Sequence, residues 1–215
     1  MLNLLLIGPQ GSGKGTQAEK IVAEFSLTHL EAGALIRARA EKHDQKAKII
    51  DHLANKKGQL LPDGVVLDMI YDELAENPSS KGYLFDGFPR TVAQYQALQG
   101  LLKDRELSLS AALYLHISDA QAVTRLASRR VCDKCGKGYS LLLEPDRVTC
   151  TCGGKLISRP DDTETAIRAR LGLFHASTEP ILKLLDQDGL LKKINGEQPI
   201  DKIFSAIKQA VSKFL

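Results

Sequence analysis

Three groups of residues in this chain have types and spacings that could do chemistry. The first is Gly8-Pro9-Gln10-Gly11-Ser12-Gly13-Lys14-Gly15-Thr16. Glycines let a backbone curl until successive N–H groups point inward, and a following helix N-terminus adds partial positive charge. A lysine at this spacing can reach the β and γ phosphates of a triphosphate. The usual pattern has Ser or Thr directly after the lysine; here Gly15 intervenes and Thr16 comes next. The second group is Asp86-Gly87-Phe88-Pro89-Arg90-Thr91. A carboxylate beside a phosphate loop can hold Mg²⁺ through water, because Mg²⁺ is normally bound by few carboxylates plus phosphates. An arginine four residues later can fork onto a phosphate.

The third group is the four cysteines, in the pairs Cys132-x-x-Cys135 and Cys150-x-Cys152 with 14 residues between them. Two close pairs of thiolates can satisfy a tetrahedral ion such as Zn²⁺ and so hold together a small insert with little core of its own. Reduced thiols without metal, and disulfides, are the other readings; a structural metal is favoured in a chain with no sign of secretion. A catalytic metal would want His or carboxylate ligands and a water position, and no histidine lies in this segment. The five histidines are scattered without metal spacing and read as ordinary core or surface residues.

Around the cysteines lie most of the arginines. Seven of the eleven arginines (Arg125, Arg129, Arg130, Arg147, Arg159, Arg168 and Arg170) fall between residues 125 and 170. Arg125 and Arg129 are spaced i, i+4, which on a helix puts them on one face. Several arginines converging on a transferring phosphoryl group would supply the positive charge that its equatorial oxygens need. Asp161 and Asp162 follow Arg159 and suit a helix N-terminus, where acidic residues complement the dipole.

These groups need elements to position them. Leu4-Leu5-Leu6-Ile7 reads as a buried strand, and after the glycine loop Ala18, Ile21, Val22 and Phe25 recur at helical spacing. Further strands are expected at Thr28-His29-Leu30, Tyr83-Leu84-Phe85, Ala111–Ile117 and Leu191–Ile194, with helical patterns between them. Strands alternating with helices specify an α/β fold, a parallel sheet covered on both faces. Ligands bind beyond the carboxyl ends of such strands. Gly8, Asp86 and Ser118 each follow a strand directly, so all three are expected at that edge. Residues 32–61 and 128–163 fit the alternation poorly and read as inserts, leaving a core of 1–31, 62–127 and 164–215.

Composition sets the outer bounds. The chain has 215 residues, 43% hydrophobic and 26% charged, which is ordinary globular usage and long enough for a sizeable core. A net charge of +3 is far from the profile of a nucleic-acid binder. No run approaches the length of a membrane span, and the apolar start lacks a basic region before it. The expectation is a soluble cytoplasmic protein, monomeric, with no nucleic-acid or membrane partner.

The Gly-Lys-Gly-Thr form of the loop and the Asp-Gly-Phe-Pro-Arg run resemble the nucleoside monophosphate kinases, and most closely the adenylate kinase family. The resemblance covers nearly the whole chain. It implies a P-loop NTPase-type parallel sheet flanked by helices, with a helical NMP-binding insert and a cysteine-bearing lid insert. The implied activity is reversible phosphoryl transfer from ATP·Mg to AMP, giving two ADP. Carried over position by position, the resemblance places donor binding at Gly11, Ser12, Gly13, Lys14, Gly15, Thr16, Arg125, Arg129, Gly138, Tyr139 and Gln198. It places the acceptor at Ala32, Arg37, Gln59, Leu60, Leu61, Gly87, Phe88, Pro89, Arg90, Gln94, Arg159 and Arg170. The catalytic set is Lys14, Asp86, Arg90, Arg125, Arg129, Arg159 and Arg170, and Asp161 and Asp162 resemble the family's acidic pair that bonds to arginines when the lid closes. Mg²⁺ is implied with ATP, and a structural Zn²⁺ or another divalent metal at Cys132, Cys135, Cys150 and Cys152.

The chain departs from the family at two places. Ala32 stands in Glu31-Ala32-Gly33 where the family usually shows Ser-Thr-Gly, and the second cysteine pair is one spacer short. Two rival functions follow from the residues: a kinase for another monophosphate (UMP or CMP), and a zinc-ribbon interaction module on a degenerate kinase scaffold.

Overall fold

A computed structural model describes residues 1–40, 61–159 and 162–215. Five strands form one parallel sheet: β1 (Leu4–Ile7), β2 (Thr28–Glu31), β3 (Tyr83–Asp86), β4 (Ala111–His116) and β8 (Leu191–Asn195), in the spatial order β2-β3-β1-β4-β8. All five expected strands are present, within a residue or so of the expected ends. The α/β class with a parallel sheet between helices is therefore the observed one.

Successive side chains of a strand point to opposite faces, and β1 shows what an unbroken apolar run achieves. Leu4 and Leu6 belong to a cluster with Ile21, Leu113, Leu115 and Ile207, whereas Leu5 and Ile7 join Phe85, Tyr95, Leu98 and Ile181 on the other side. Each such leucine contributes about 1.5–3 kcal/mol by leaving water. The first cluster is closed by helices α1 (Lys14–Phe25) and α8 (Ile200–Val211), the second by α3 (Asp63–Glu76), α4 (Val92–Asp104) and α7 (Glu179–Gln187). Helix α2 (Ala32–Ala40) follows β2 without a linker. Gln59, Leu60 and Asp161 lie outside the described residues.

Helix α5 (Asp119–Ala127) leads into a second, antiparallel sheet of β5 (Arg129–Cys132), β6 (Gly138–Ser140) and β7 (Leu156–Ile157), ordered β6-β5-β7. Its apolar centre is only Cys132, Tyr139 and Cys150 with Leu156 against them. From there the chain returns to the main body through α6 (Glu164–Leu173) and a π-helical turn at Phe174–Thr178.

One expectation changes here. Arg125 and Arg129 do not share a helix face, because α5 ends at Ala127 and Arg129 is the first residue of β5. Ser128 stops the helix: its N–H bonds to Thr124 O and its hydroxyl donates to Arg125 O at 2.9 Å, after which Arg129, Arg130 and Val131 pair with residues 138–140. Among the described residues no helix is long and apolar enough to cross a membrane.

Candidate active site

Parallel register brings the chemistry to one edge. Leu6 of β1 aligns with Asp86, and Asp86 aligns with Glu31, so the ends of β1, β2 and β3 stand level beside the loop that follows β1. That loop turns at Gly11 (φ 83°) and Gly13 (φ 91°), left-handed conformations that favour glycine. At Gly11 an added Cβ would also come within 3.0 Å of Ala122 O. Gly13 caps α1 with no side-chain acceptor, leaving the first-turn N–H groups of α1 to another partner; Gly15 and Thr16 there are exposed. Ser12 is fully buried and its hydroxyl has no hydrogen-bond partner.

Lys14 folds back over the loop, donating from Nζ to Gly8 O at 2.6 Å and Pro9 O at 2.9 Å. Burial pushes its pKa down to about 8; Asp86 opposes the shift, and Arg90 and Arg129 add to it. Asp86 is 6% exposed at the end of β3, with His29 Nε2 at 3.5 Å from its Oδ2. Arg90 donates from Nε to Gly87 O at 2.7 Å, and burial lowers its pKa while Asp86 raises it.

The expected acceptor residues divide into side chains that are available and side chains that are not. Arg37, on α2, is exposed and pairs with Glu31 at 3.1 Å. Ala32, Leu61 and Phe88 are all buried in the main core, so only their backbone groups could meet a ligand. Pro89 is likewise buried, after a cis peptide bond. Gln94 is 2% exposed: its Oε1 accepts Arg90 N–H at 2.7 Å and its Nε2 donates to Asp63 Oδ1 at 2.8 Å.

Of the residues expected at the donor, Arg125 reaches Gly11 O from Nη1 at 3.3 Å. Arg129 and Arg170 meet at Asp162, with Arg129 Nη2 at 2.6 Å and Arg170 Nη2 at 2.8 Å from the same oxygen. Burial alone would raise the Asp162 pKa; the two guanidiniums overcome it and hold the carboxyl below its ordinary range. Thr163, not Asp162, caps α6, its hydroxyl accepting Ala166 N–H. Arg159 O accepts Asp162 N–H at 3.1 Å, tying the end of the small sheet to the start of α6. Gly138 and Gln198 are exposed, and Tyr139 is buried.

The four cysteines form one cluster. Their sulfurs all lie within 4.8 Å of one another, and three of the pairs, Cys132 with Cys152, Cys135 with Cys150 and Cys135 with Cys152, stand at 3.5 Å. In a tetrahedron of Zn–S bonds of about 2.3 Å, neighbouring sulfurs are about 3.8 Å apart. The cluster therefore fits a metal of that kind, the short Cys150-x-Cys152 pair included. The Cys150 pKa is lowered to about 5, by the N–H of Cys152 first and the Tyr139 hydroxyl next.

Sequence reasoning missed several partners. Asp63 holds both Gln94 and the Thr91 hydroxyl. Glu197 takes the Ser118 N–H and hydroxyl at 2.8 Å each and acts electrostatically on Arg125. Thr178 Oγ1 donates to Arg90 O at 3.0 Å. None sits in a motif, and each contact spans dozens of residues, so no local signal could have found them.

Comparison with known proteins agrees with this geometry. The family model described as adenylate kinase matches residues 6–190. The adenylate kinase of Carboxydothermus hydrogenoformans is 38% identical over 215 residues, covering 99% of this chain and 100% of the relative. Those of Desulforudis audaxviator and Bacillus cereus are each 39% identical, over 208 and 213 residues, covering 94% and 96% of this chain and 95% and 96% of the relatives. A match across most of the chain, with relatives aligned nearly end to end, means that the chain belongs to the adenylate kinase family and is an ATP:AMP phosphotransferase.

Proposed function

We propose that the edge formed by Lys14, Asp86, Arg90 and Arg129 is where the phosphoryl group passes from ATP to AMP. The observation that supports this is the sheet edge itself: Asp86 ends β3 level with β1, and beside it Lys14 Nζ folds onto Gly8 O and Pro9 O while Arg90 Nε holds Gly87 O. In this reading the loop amides from Gly11 to Thr16 and the Lys14 ammonium hold the donor phosphates, and the Thr16 hydroxyl completes the cradle. Asp86 and Thr16 offer the oxygen ligands that suit a hard cation, Asp86 through water. Mg²⁺ bound with ATP neutralises charge on the donor phosphates.

Arg37 and Arg90 orient the acceptor phosphate, with Glu31 giving up Arg37 as that phosphate arrives. Arg125, Arg129, Arg159 and Arg170 set positive charge around the transferring group. No general base is required, because the attacking oxygen of AMP is already anionic. Residues 32–61 act as the acceptor insert, with Gln59, Leu60 and Leu61 beside the base. Residues 128–163 act as a lid, with Gly138, Tyr139 and Gln198 toward the donor nucleotide. Closure of both inserts excludes water that would otherwise take the phosphoryl group.

The lid metal is a structural Zn²⁺, held by Cys132, Cys135, Cys150 and Cys152. An insert whose apolar centre is three side chains needs such a clamp. A monomer is the assembly proposed, and the unbridged cysteines suit the cytoplasm. The decisive assay is phosphotransfer from ATP with AMP, UMP and CMP as competing acceptors, run beside metal analysis. Preference for UMP or CMP would overturn the acceptor assignment.

A further inference from the structure

The two cysteine pairs differ by one residue, and the hydrogen bonds around their sulfurs show what that difference costs. In the longer pair the turn closes through Gly136 N–H on Cys132 O, so the N–H groups of Lys134 and Cys135 are not spent on the turn, and Lys134 N–H bonds the Cys132 sulfur at 3.4 Å. Backbone donors on a thiolate drain charge from it, which matters where four thiolates share one dication. In the shorter pair the turn closes one residue earlier, through Gly153 N–H on Cys150 O at 2.9 Å. That N–H is consumed, and the contacts on the Cys150 sulfur include two hydroxyls, Tyr139 at 3.1 Å and Thr151 at 3.9 Å.

The hydroxyl of Tyr139 stands in the vacated place. It lies 3.1 Å from the Cys150 sulfur, and its oxygen accepts the N–H of Thr151, the lone spacer of the short pair, at 3.3 Å. With a lone pair engaged by Thr151, the hydroxyl proton is free to point at the sulfur. The ring is fixed in turn: Tyr139 pairs with Arg130 across β5 and β6, is 9% exposed, and has the Arg147 guanidinium 5.0 Å and the Lys137 ammonium 5.8 Å from its centroid. On the far side of the cluster Gly154 leaves no room for a compensating side chain, since a Cβ there would come 2.4 Å from the Cys132 sulfur.

We propose that Tyr139 is the positioning residue of the lid metal site, its hydroxyl donating to the Cys150 thiolate in place of the backbone N–H that the shortened Cys-x-Cys turn has used up. The inference rests on the reading of the four cysteines as a metal site. It adds a distinct role for a residue that the family resemblance associates only with the donor nucleotide.

The test compares the zinc-loaded wild-type chain with Tyr139→Phe, which keeps the ring and removes only the hydroxyl. Loss of an outer partner of a metal ligand weakens metal binding by roughly 10–100-fold, so zinc transfer to a chromogenic chelator should be faster and tighter-chelator competition should show that loss of affinity. In the cobalt-substituted proteins the sulfur-to-metal charge-transfer band should shift between the two. The melting temperature should fall in the metal-loaded variant and stay at the wild-type value after chelation.

Equal zinc retention and an unshifted cobalt band would overturn the proposal. So would an equal fall in melting temperature with and without metal, which would make Tyr139 a packing residue only. A further variant, Tyr139→Phe with one glycine inserted after Thr151, restores the longer turn and should recover most of the lost retention; no recovery would overturn the substitution argument. Wild-type protein that takes up neither zinc nor cobalt would overturn the metal reading itself, an outcome distinct from all of these.

Discussion

Arg129 and Asp162 form a two-bond ion pair, with Asp162 Oδ2 accepting from Nε at 2.7 Å and Oδ1 accepting from Nη2 at 2.6 Å. Arg170 adds a third bond to Oδ1. One carboxylate thus joins the first strand of the small sheet to the helix that returns to the core. Asp162→Asn should destabilise the protein by about 2 kcal/mol, the scale for hydrogen bonds to charged groups, read from urea unfolding.

The same pair sets a pH dependence. A carboxyl whose folded pKa is depressed contributes fully above its unfolded value, about 3.9, and loses that contribution as pH falls through the folded pKa. The stability gap between wild type and Asp162→Asn should therefore be constant from about pH 5 to about pH 7 and close progressively below about pH 4. A gap unchanged into the acid range would show that the carboxylate charge is not the source.

Lys14 carries the sharpest kinetic expectation. Lys14→Ala should lower kcat by at least roughly 10²–10³-fold, the scale for removing one preorganised donor to transition-state charge. Burial lowers its pKa to about 8 in the free protein, and a neutral amine cannot attract phosphate. The value of kcat/KM for ATP, which reports free-enzyme groups, should fall as pH rises above about 8. The fall in kcat should come at higher pH, because bound phosphates hold the proton. A flat kcat/KM profile from neutral to alkaline pH would contradict this.

Gln94 is buried between Arg90 and Asp63, so it acts through what it holds as well as through any base it meets. Gln94→Ala leaves the Arg90 N–H and an Asp63 oxygen unpaired and should cost about 1–3 kcal/mol in stability. It should also raise KM for AMP more than it lowers kcat. Steady-state kinetics at varied AMP, beside thermal melts, separates the two effects.

Metal removal should act mainly on the lid. Chelation should lower the melting temperature by about 2–4 °C for each kcal/mol the metal supplies in a chain of this size, and thiol titration should then find all four cysteines reactive. Cys132→Ser should reproduce the chelated state without added chelator. Unchanged melting on chelation would mean that the small sheet holds together unaided.

Much of this was legible from local pattern. Leu4 to Ile7 followed by Gly11, Gly13 and Lys14 could be read as strand, turn and phosphate-facing helix because each depends on side-chain volume, φ preference and periodicity within a few residues. The placement of Asp86 at a strand end, level with β1, is readable for the same reason. The Arg125–Arg129 spacing misled, because helical periodicity holds only while the helix lasts, and Ser128 ends it two residues after Leu126.

By itself the sequence determined the chain's class, its phosphate chemistry and the grouping of its cysteines, since these follow from residue type and short-range spacing. Only the tertiary structure decided which groups meet across long separations. Asp63 under Gln94, Glu197 against Ser118, Asp162 between Arg129 and Arg170, and Tyr139 over Cys150 are all set by how strands align and helices pack. No local pattern encodes such contacts, because a buried polar group finds its partner only when the fold has removed water from both.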